Sequence, residues 1–139
     1  LIRLSEAQRE AIRTHGARDF PEECCGVILG DVEGNVKIVR ELRPLENVHE
    51  EGHARRYLVS PDTMFALLQE ERRTKRKILG FYHSHPNHPA RPSDYDRDWA
   101  SPWYTYIIVA VMNGEPADMT AWQLEDDRQT FASEAIEII

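Results

Sequence analysis

Residues 78–86 read Ile-Leu-Gly-Phe-Tyr-His-Ser-His-Pro, an apolar run that ends in two histidines one residue apart. No other stretch restricts the fold as much. A short apolar run bounded by proline reads as a buried strand. Side chains alternate faces along a strand, so His83 and His85 point the same way, about 6–7 Å apart along its axis. Two imidazoles so placed can share one metal ion through nitrogens at about 2.0–2.1 Å. Pro86 biases His85 toward extended geometry and keeps the alternation running through the second histidine. Pro86, Asn87, Pro89 and Pro92 then make the next stretch a loop.

Ser93 opens a helix. Serine is a preferred N-cap, and Asp94 and Asp96 follow in the first turn, where carboxylates suit the positive helix end. The loop can fold this helix start back over the strand, which makes Asp96 a third ligand. Two histidines and one carboxylate leave a fourth position for water, the arrangement of catalytic rather than structural zinc, and water so held can have a pKa near 7. A lone histidine at a strand end is usually a plain surface or core residue. The pattern His-x-His, seven residues, Ser, two residues, Asp arises by chance in roughly one such chain in a thousand, and this favours the functional reading.

These residues carry a resemblance. His83-Ser84-His85, Ser93 and Asp96 resemble the signature of the JAMM (MPN+) zinc metallopeptidases, whose members also carry a glutamate upstream, often just before Cys-Gly. Pro21-Glu22-Glu23-Cys24-Cys25-Gly26-Val27 matches that stretch. The register with glutamate two residues before Cys-Gly selects Glu23, with Glu22 the other choice; the local sequence alone reads Glu23 as an exposed carboxylate at a strand start. The similarity spans roughly residues 2–125. It implies an α/β (α+β) fold, a curved mixed sheet flanked by helices in a JAMM/MPN, cytidine-deaminase-like sandwich. It also implies one catalytic Zn2+ on His83, His85 and Asp96, with Glu23 as general base and Ser93 donating to the developing oxyanion. The compact form looks most like bacterial stand-alone members that cut after the C-terminal Gly-Gly of ubiquitin-like sulfur carriers. The rival readings are an isopeptidase that removes such modifiers from lysine and a metal-free binding module. The second conflicts with the complete ligand set. Asn87, His88 and Arg91, on the loop, are candidate substrate contacts. Asn47 resembles a recurring family position whose role stays open.

The remainder of the 139 residues fits one domain, 1–139, large enough to bury a core. A net charge of −7 argues against a nucleic-acid partner. No apolar run approaches membrane-spanning length. Two adjacent cysteines cannot form an ordinary disulfide framework, which points to the cytoplasm and to small core residues rather than nucleophiles. The expected order begins with a strand over 1–4 and a helix opened by the capping box Ser5-Glu6-Ala7-Gln8, with Gly16 near its end as C′ residue and His15 a solvated helix-end cation. A hairpin over Glu23–Leu29 and Val36–Leu45 follows, then a loop over 44–56 with solvent-facing His49 and His53, and a short strand at Tyr57–Val59. A helix after Ser60-Pro61 should bury Met64, Phe65, Leu67 and Leu68. Its basic end, Arg72, Arg73, Lys75, Arg76 and Lys77, reads as a solvated helix terminus favoured by the dipole, with a patch for an acidic partner as the alternative. Strands over 104–111 and 119–124 and a last strand or edge segment within 131–139 complete the order.

Overall fold

The computed structural model describes residues 1–48 and 58–139. His49, His53 and Tyr57 lie outside the described residues. The elements run β1 (Ile2–Leu4), α1 (Glu6–Asp19), β2 (Cys25–Glu33), β3 (Val36–Leu45), α2 (Pro61–Arg73), β4 (Lys77–Pro86), α3 (Asp94–Trp99), β5 (Thr105–Met112), β6 (Glu115–Leu124), β7 (Phe131–Glu134) and β8 (Ile136–Ile138). The expected mixed sheet with helices against it is the observed architecture. Eight strands lie in the order β7-β6-β5-β4-β2-β3-β1-β8. β4, the strand of the two histidines, sits inside the sheet, antiparallel to β2 and parallel to β5. The parallel pair needs a crossover, and the proline-rich loop with α3 supplies it.

The two edge strands are one stretch of chain. β7 pairs with β6, β8 pairs with β1, and only Ala135 separates them. The sheet is therefore curled until its edges meet, with the Ile2 N–H donating to the Ala135 carbonyl at the seam. The segment expected as a last strand serves both rims.

β4, with an irregularity in its register against β2 between Ile78 and Gly80, divides the core. Leu79 and Tyr82 join Ile12 of α1, Ile28, Ile107 and Val109 on one face. Phe81 joins Leu67 of α2, Val27, Leu29 and Tyr106 on the other. His83 and His85 share the Phe81 face. Gly80 allows β4 and β5 to approach: a Cβ there would stand 1.8 Å from the Thr105 carbonyl oxygen.

Four expectations are corrected. Gly16 is no C′ residue; α1 continues to Asp19, and Gly16 lies where the helix presses on the sheet, a Cβ there meeting Val111 at 3.0 Å. His15 is buried at 6% exposure rather than solvated. Its Nδ1 lies 2.7 Å from the Tyr82 hydroxyl and its Nε2 3.2 Å from Asp19. Only Leu67 of the four apolar α2 residues is buried; Phe65 is 63% and Leu68 41% exposed, because the helix touches the sheet through a narrow stripe centred on Met64, Leu67 and Glu71. Leu58 and Val59 form no strand, since Leu58 is held by Asn47 and Val48 instead of a ladder.

Two outcomes follow. Gly80→Ala should cost about 3 kcal/mol by chemical denaturation, the upper range for overpacking, because backbone must move rather than a side chain. His15 is held below its ordinary 6.5 chiefly by burial, with Asp19 opposing and Arg18 adding. The unfolded chain thus binds this proton first, and the stability His15 contributes is present above pH 6.5 and lost as pH falls through that value. Urea midpoints measured between about pH 7.5 and 5.5 should fall more steeply for the wild type than for His15→Gln.

Candidate metal centre

His83 and His85 emerge at the C-terminal end of the β4–β5 pair, registered with Ile108 and Ala110. Their ring centroids are 5.0 Å apart and their Nε2 atoms 3.2 Å apart. α3 brings the carboxylate. Ser93 Oγ accepts the Asp96 N–H at 3.0 Å and Asp96 Oδ2 accepts the Ser93 N–H at 2.9 Å, a reciprocal capping box. Locked this way, Asp96 places Oδ1 3.3 Å from His83 Nε2 and Oδ2 3.1 Å from His85 Nε2. Tetrahedral ligands at 2.0–2.1 Å from one ion stand about 3.3–3.4 Å from each other. The separation of the two imidazole nitrogens suits a single shared ion, and Asp96 presents one carboxylate oxygen to each ring.

The tautomer of His85 agrees. Its Nδ1 lies 2.9 Å from the Pro89 carbonyl, which can only accept, so the proton sits on Nδ1 and the Nε2 lone pair faces the centre. Glu23 stands just ahead of β2, where Ser84 N–H donates to the Cys24 carbonyl at 3.2 Å and Cys24 N–H to Ser84 Oγ at 2.9 Å. Ligand atoms of Glu23, His83 and His85 lie within 4.8 Å of one another. Glu23 Oε1 is buried and accepts no hydrogen bond among the described residues. Two overlapping trios of acceptors therefore meet here. Asp96 reaches both rings within 3.3 Å, and Glu23 stands beside them. A buried group of carboxylates and imidazole lone pairs with an unpartnered carboxylate oxygen suits a cation.

Electrostatics support that assignment. Burial pushes the Glu23 carboxyl up to about 8, with His85 opposing and Asp96 adding. Burial alone would raise Asp96 too, but the two imidazoles more than offset it and hold Asp96 well below the usual carboxylate range. Burial lowers His83. Burial also pushes the Cys24 and Cys25 thiols up to about 12, which leaves them as packing residues rather than nucleophiles.

A cavity of about 380 Å³ opens on the centre and is lined by Glu23, His85, His88, Pro89, Arg91 and Ser93, among others. The structure thus brings Glu23, Ser93, His88 and Arg91 to one opening above the Asp96 trio. It does not bring Asn87, which turns away: at φ +57° its Oδ1 accepts the Asn113 N–H at 2.7 Å and its own N–H donates to the Val111 carbonyl. Asn87 shapes the turn. Two further groups support the site; the sequence carries no signal for the first and only a family resemblance with an open role for the second. One is the Pro89 carbonyl. The other is Asn47, whose Nδ2 donates to the Glu23 carbonyl at 3.2 Å while its Oδ1 accepts the Leu58 N–H at 3.0 Å.

Comparison with known proteins agrees with this geometry. The family described as prokaryotic homologs of the JAB domain matches residues 5–125. Desampylase of Haloferax volcanii is 32% identical over 141 residues, 98% of this chain and 96% of that one. A Thermus thermophilus protein named "Probable TtuB-protein conjugate cleaving protease" is 34% identical over 102 residues, 73% of this chain and 65% of that one. A solution structure of a Desulfitobacterium hafniense protein superposes with a TM-score of 0.84 at 26% identity, covering 100% of this chain and 93% of that one. The chain belongs to the family of prokaryotic homologues of the JAB domain.

Proposed function

We propose that this protein is a zinc peptidase. It hydrolyses the amide bond after the C-terminal Gly-Gly of a ubiquitin-like sulfur-carrier protein and releases an amino acid or short peptide. The observation that carries the reading is the approach of His83 Nε2, His85 Nε2 and the Asp96 carboxylate, 3.1–3.3 Å, beside a Glu23 oxygen that accepts no hydrogen bond among the described residues. Two imidazoles and a carboxylate are a ligand set that suits zinc. The ion, when bound, supplies a Lewis acid and lowers the pKa of water.

The chain's own residues account for the remaining steps. Glu23 takes a proton from the attacking water and returns it to the leaving nitrogen. Its burial favours a proton-accepting group whose affinity is matched to neutral pH rather than that of a surface carboxylate. Ser93 accepts the Asp96 N–H through its oxygen, so its own O–H remains to donate to the oxyanion as the carbonyl carbon becomes tetrahedral. Asn47 keeps the Glu23 backbone in place, and Pro89 keeps the His85 ring oriented. His88 and Arg91 face the cavity that the substrate tail enters. Buried free thiols at Cys24 and Cys25 suit a cytoplasmic setting.

A second reading keeps the chemistry and changes the leaving group to a lysine side chain of a protein conjugate. The name of the Thermus relative favours it. The tight Asn113-Gly114 turn between β5 and β6, with no inserted segment, favours the smaller leaving group. Rates on a carrier extended by one amino acid, set against a lysine-linked conjugate of the same carrier, decide between them.

Glu23→Gln should keep its metal in elemental analysis while turnover falls by about 10²-fold or more, the usual weight of general acid–base catalysis. Asp96→Ala should lose the metal outright. Turnover by Glu23→Gln at the wild-type rate would remove Glu23 from the role of base.

A further inference from the structure

The basic tract after α2 does more than close a helix. The helix dipole accounts only for Arg72 and Arg73, which lie in the last turn. Thr74 is the C-cap, so Lys75 and Arg76 lie beyond the helix, and Lys77 is the first residue of β4. Arg76 is paired with Glu41 at 3.0 Å. Arg72, Arg73, Lys75 and Lys77 are exposed and make no ion pair among the described residues. Four cations in six residues, with no ion pair among the described residues, stand out on a chain of net charge −7.

Beside them lies a groove of about 610 Å³ walled by Thr74, Lys75, Lys77, Ile78, Trp103 and Tyr104. Glu71 also reaches this wall, but its carboxylate accepts the Ile78 N–H at 2.8 Å. Trp103 is held deliberately. Its backbone is left-handed at φ +80°, a costly conformation for a bulky residue. Lys37, only 7% exposed, donates its ammonium to the Trp103 carbonyl and to Thr105 Oγ1, and lies 4.3 Å from the indole centroid. The indole nevertheless stays 44% exposed. A buried lysine thus fixes a strained aromatic residue as a platform with lysines at its rim.

The groove adjoins a second cavity on the face of β4 that carries Phe81 and His83. Tyr104 also lines a neighbouring apolar cavity of about 350 Å³ with Met64, Phe81 and Trp99, and Trp99 ends the helix that carries Asp96. Six residue steps of β4 separate Lys77 from His83, about 20 Å. A domain of roughly 75 residues has a radius of gyration of about 11 Å, so a body of that size with its tail at the metal covers the distance.

We infer that the groove around Trp103, Lys75 and Lys77 docks an acidic face on the globular body of the ubiquitin-like substrate, while the tail of that substrate lies at His83, His85 and Asp96. The partner is named on the reading given under Proposed function. An anionic body is repelled by most of this surface and attracted here, which steers it into register.

The test measures fluorescence anisotropy of a labelled, negatively charged ubiquitin-like carrier ending in Gly-Gly plus one amino acid, titrated with the zinc-loaded protein at about 50 and 300 mM salt. Arg72→Glu/Lys75→Glu should weaken binding about tenfold at low salt and flatten the salt dependence. Trp103→Ala should weaken it about tenfold at both salts. Thermal melts check that the variants are folded. Equal affinity of wild type and the charge-reversed double variant overturns the inference, as does binding of a short RNA in place of the carrier. Turnover of the same carrier is read separately. Cleavage with no loss of affinity in the double variant sinks the docking surface alone. Salt-sensitive binding without cleavage by the wild type sinks the proposed reaction and leaves the docking surface standing.

Discussion

Burying hydrogen-bond acceptors face to face is costly. Two imidazole nitrogens and two carboxylates crowd a few ångströms of space at the end of β4. Without a positive charge among them their lone pairs repel, and water is largely excluded. Such a group persists only if the surrounding structure leaves it nowhere to relax. Much of this architecture serves that end. β4 is flanked by strands on both sides, α3 is capped by the same residues that aim its carboxylate, and Glu23 is tied down from its own backbone by Asn47.

The capping box shows how closely local structure and site chemistry are joined. Ser93 and Asp96 start a helix by an ordinary device worth about 1 kcal/mol. The Ser93 N–H of the same box holds the Asp96 carboxylate where it reaches His83 and His85. Helix start and carboxylate aim are therefore inseparable, and a change that frees one frees the other. On the opposite face of the sheet, the His15–Tyr82 hydrogen bond performs a similar service for β4, pinning the strand one residue before His83 to α1.

What could be read from the sequence was whatever depends on near neighbours. The strand into His83 and His85, the cap at Ser93 and Asp96 in the first turn are all set by steps of two and three residues, and the mixed sheet is what the family resemblance they carry implies. What could not be read depends on partners far along the chain. His15 looks like a helix-end cation until Tyr82 is placed against it. Gly16 looks like a helix stop until Val109 and Val111 crowd it. Phe65 and Leu68 look like core residues because their hydrophobicity is visible and the narrowness of the contact stripe is not. Asn87 looks like a substrate contact because its loop neighbours are at the site, but its side chain belongs to the turn it builds.

The seam at Ala135 bears on how the molecule comes into being. The strands that carry the site, β2, β4 and β5, are all present once residue 112 has been made. β1 and β6, at the far rims, then wait for the same later stretch, residues 131–138, to join them. On the ribosome the centre can take shape while the sheet is still an open sheaf, and closure comes as a separate, late event with long sequence separation. Once closed, the curled sheet has the ends of β1 and β6 paired by the last strands to be synthesised, which shortens the rims left for strangers to pair with.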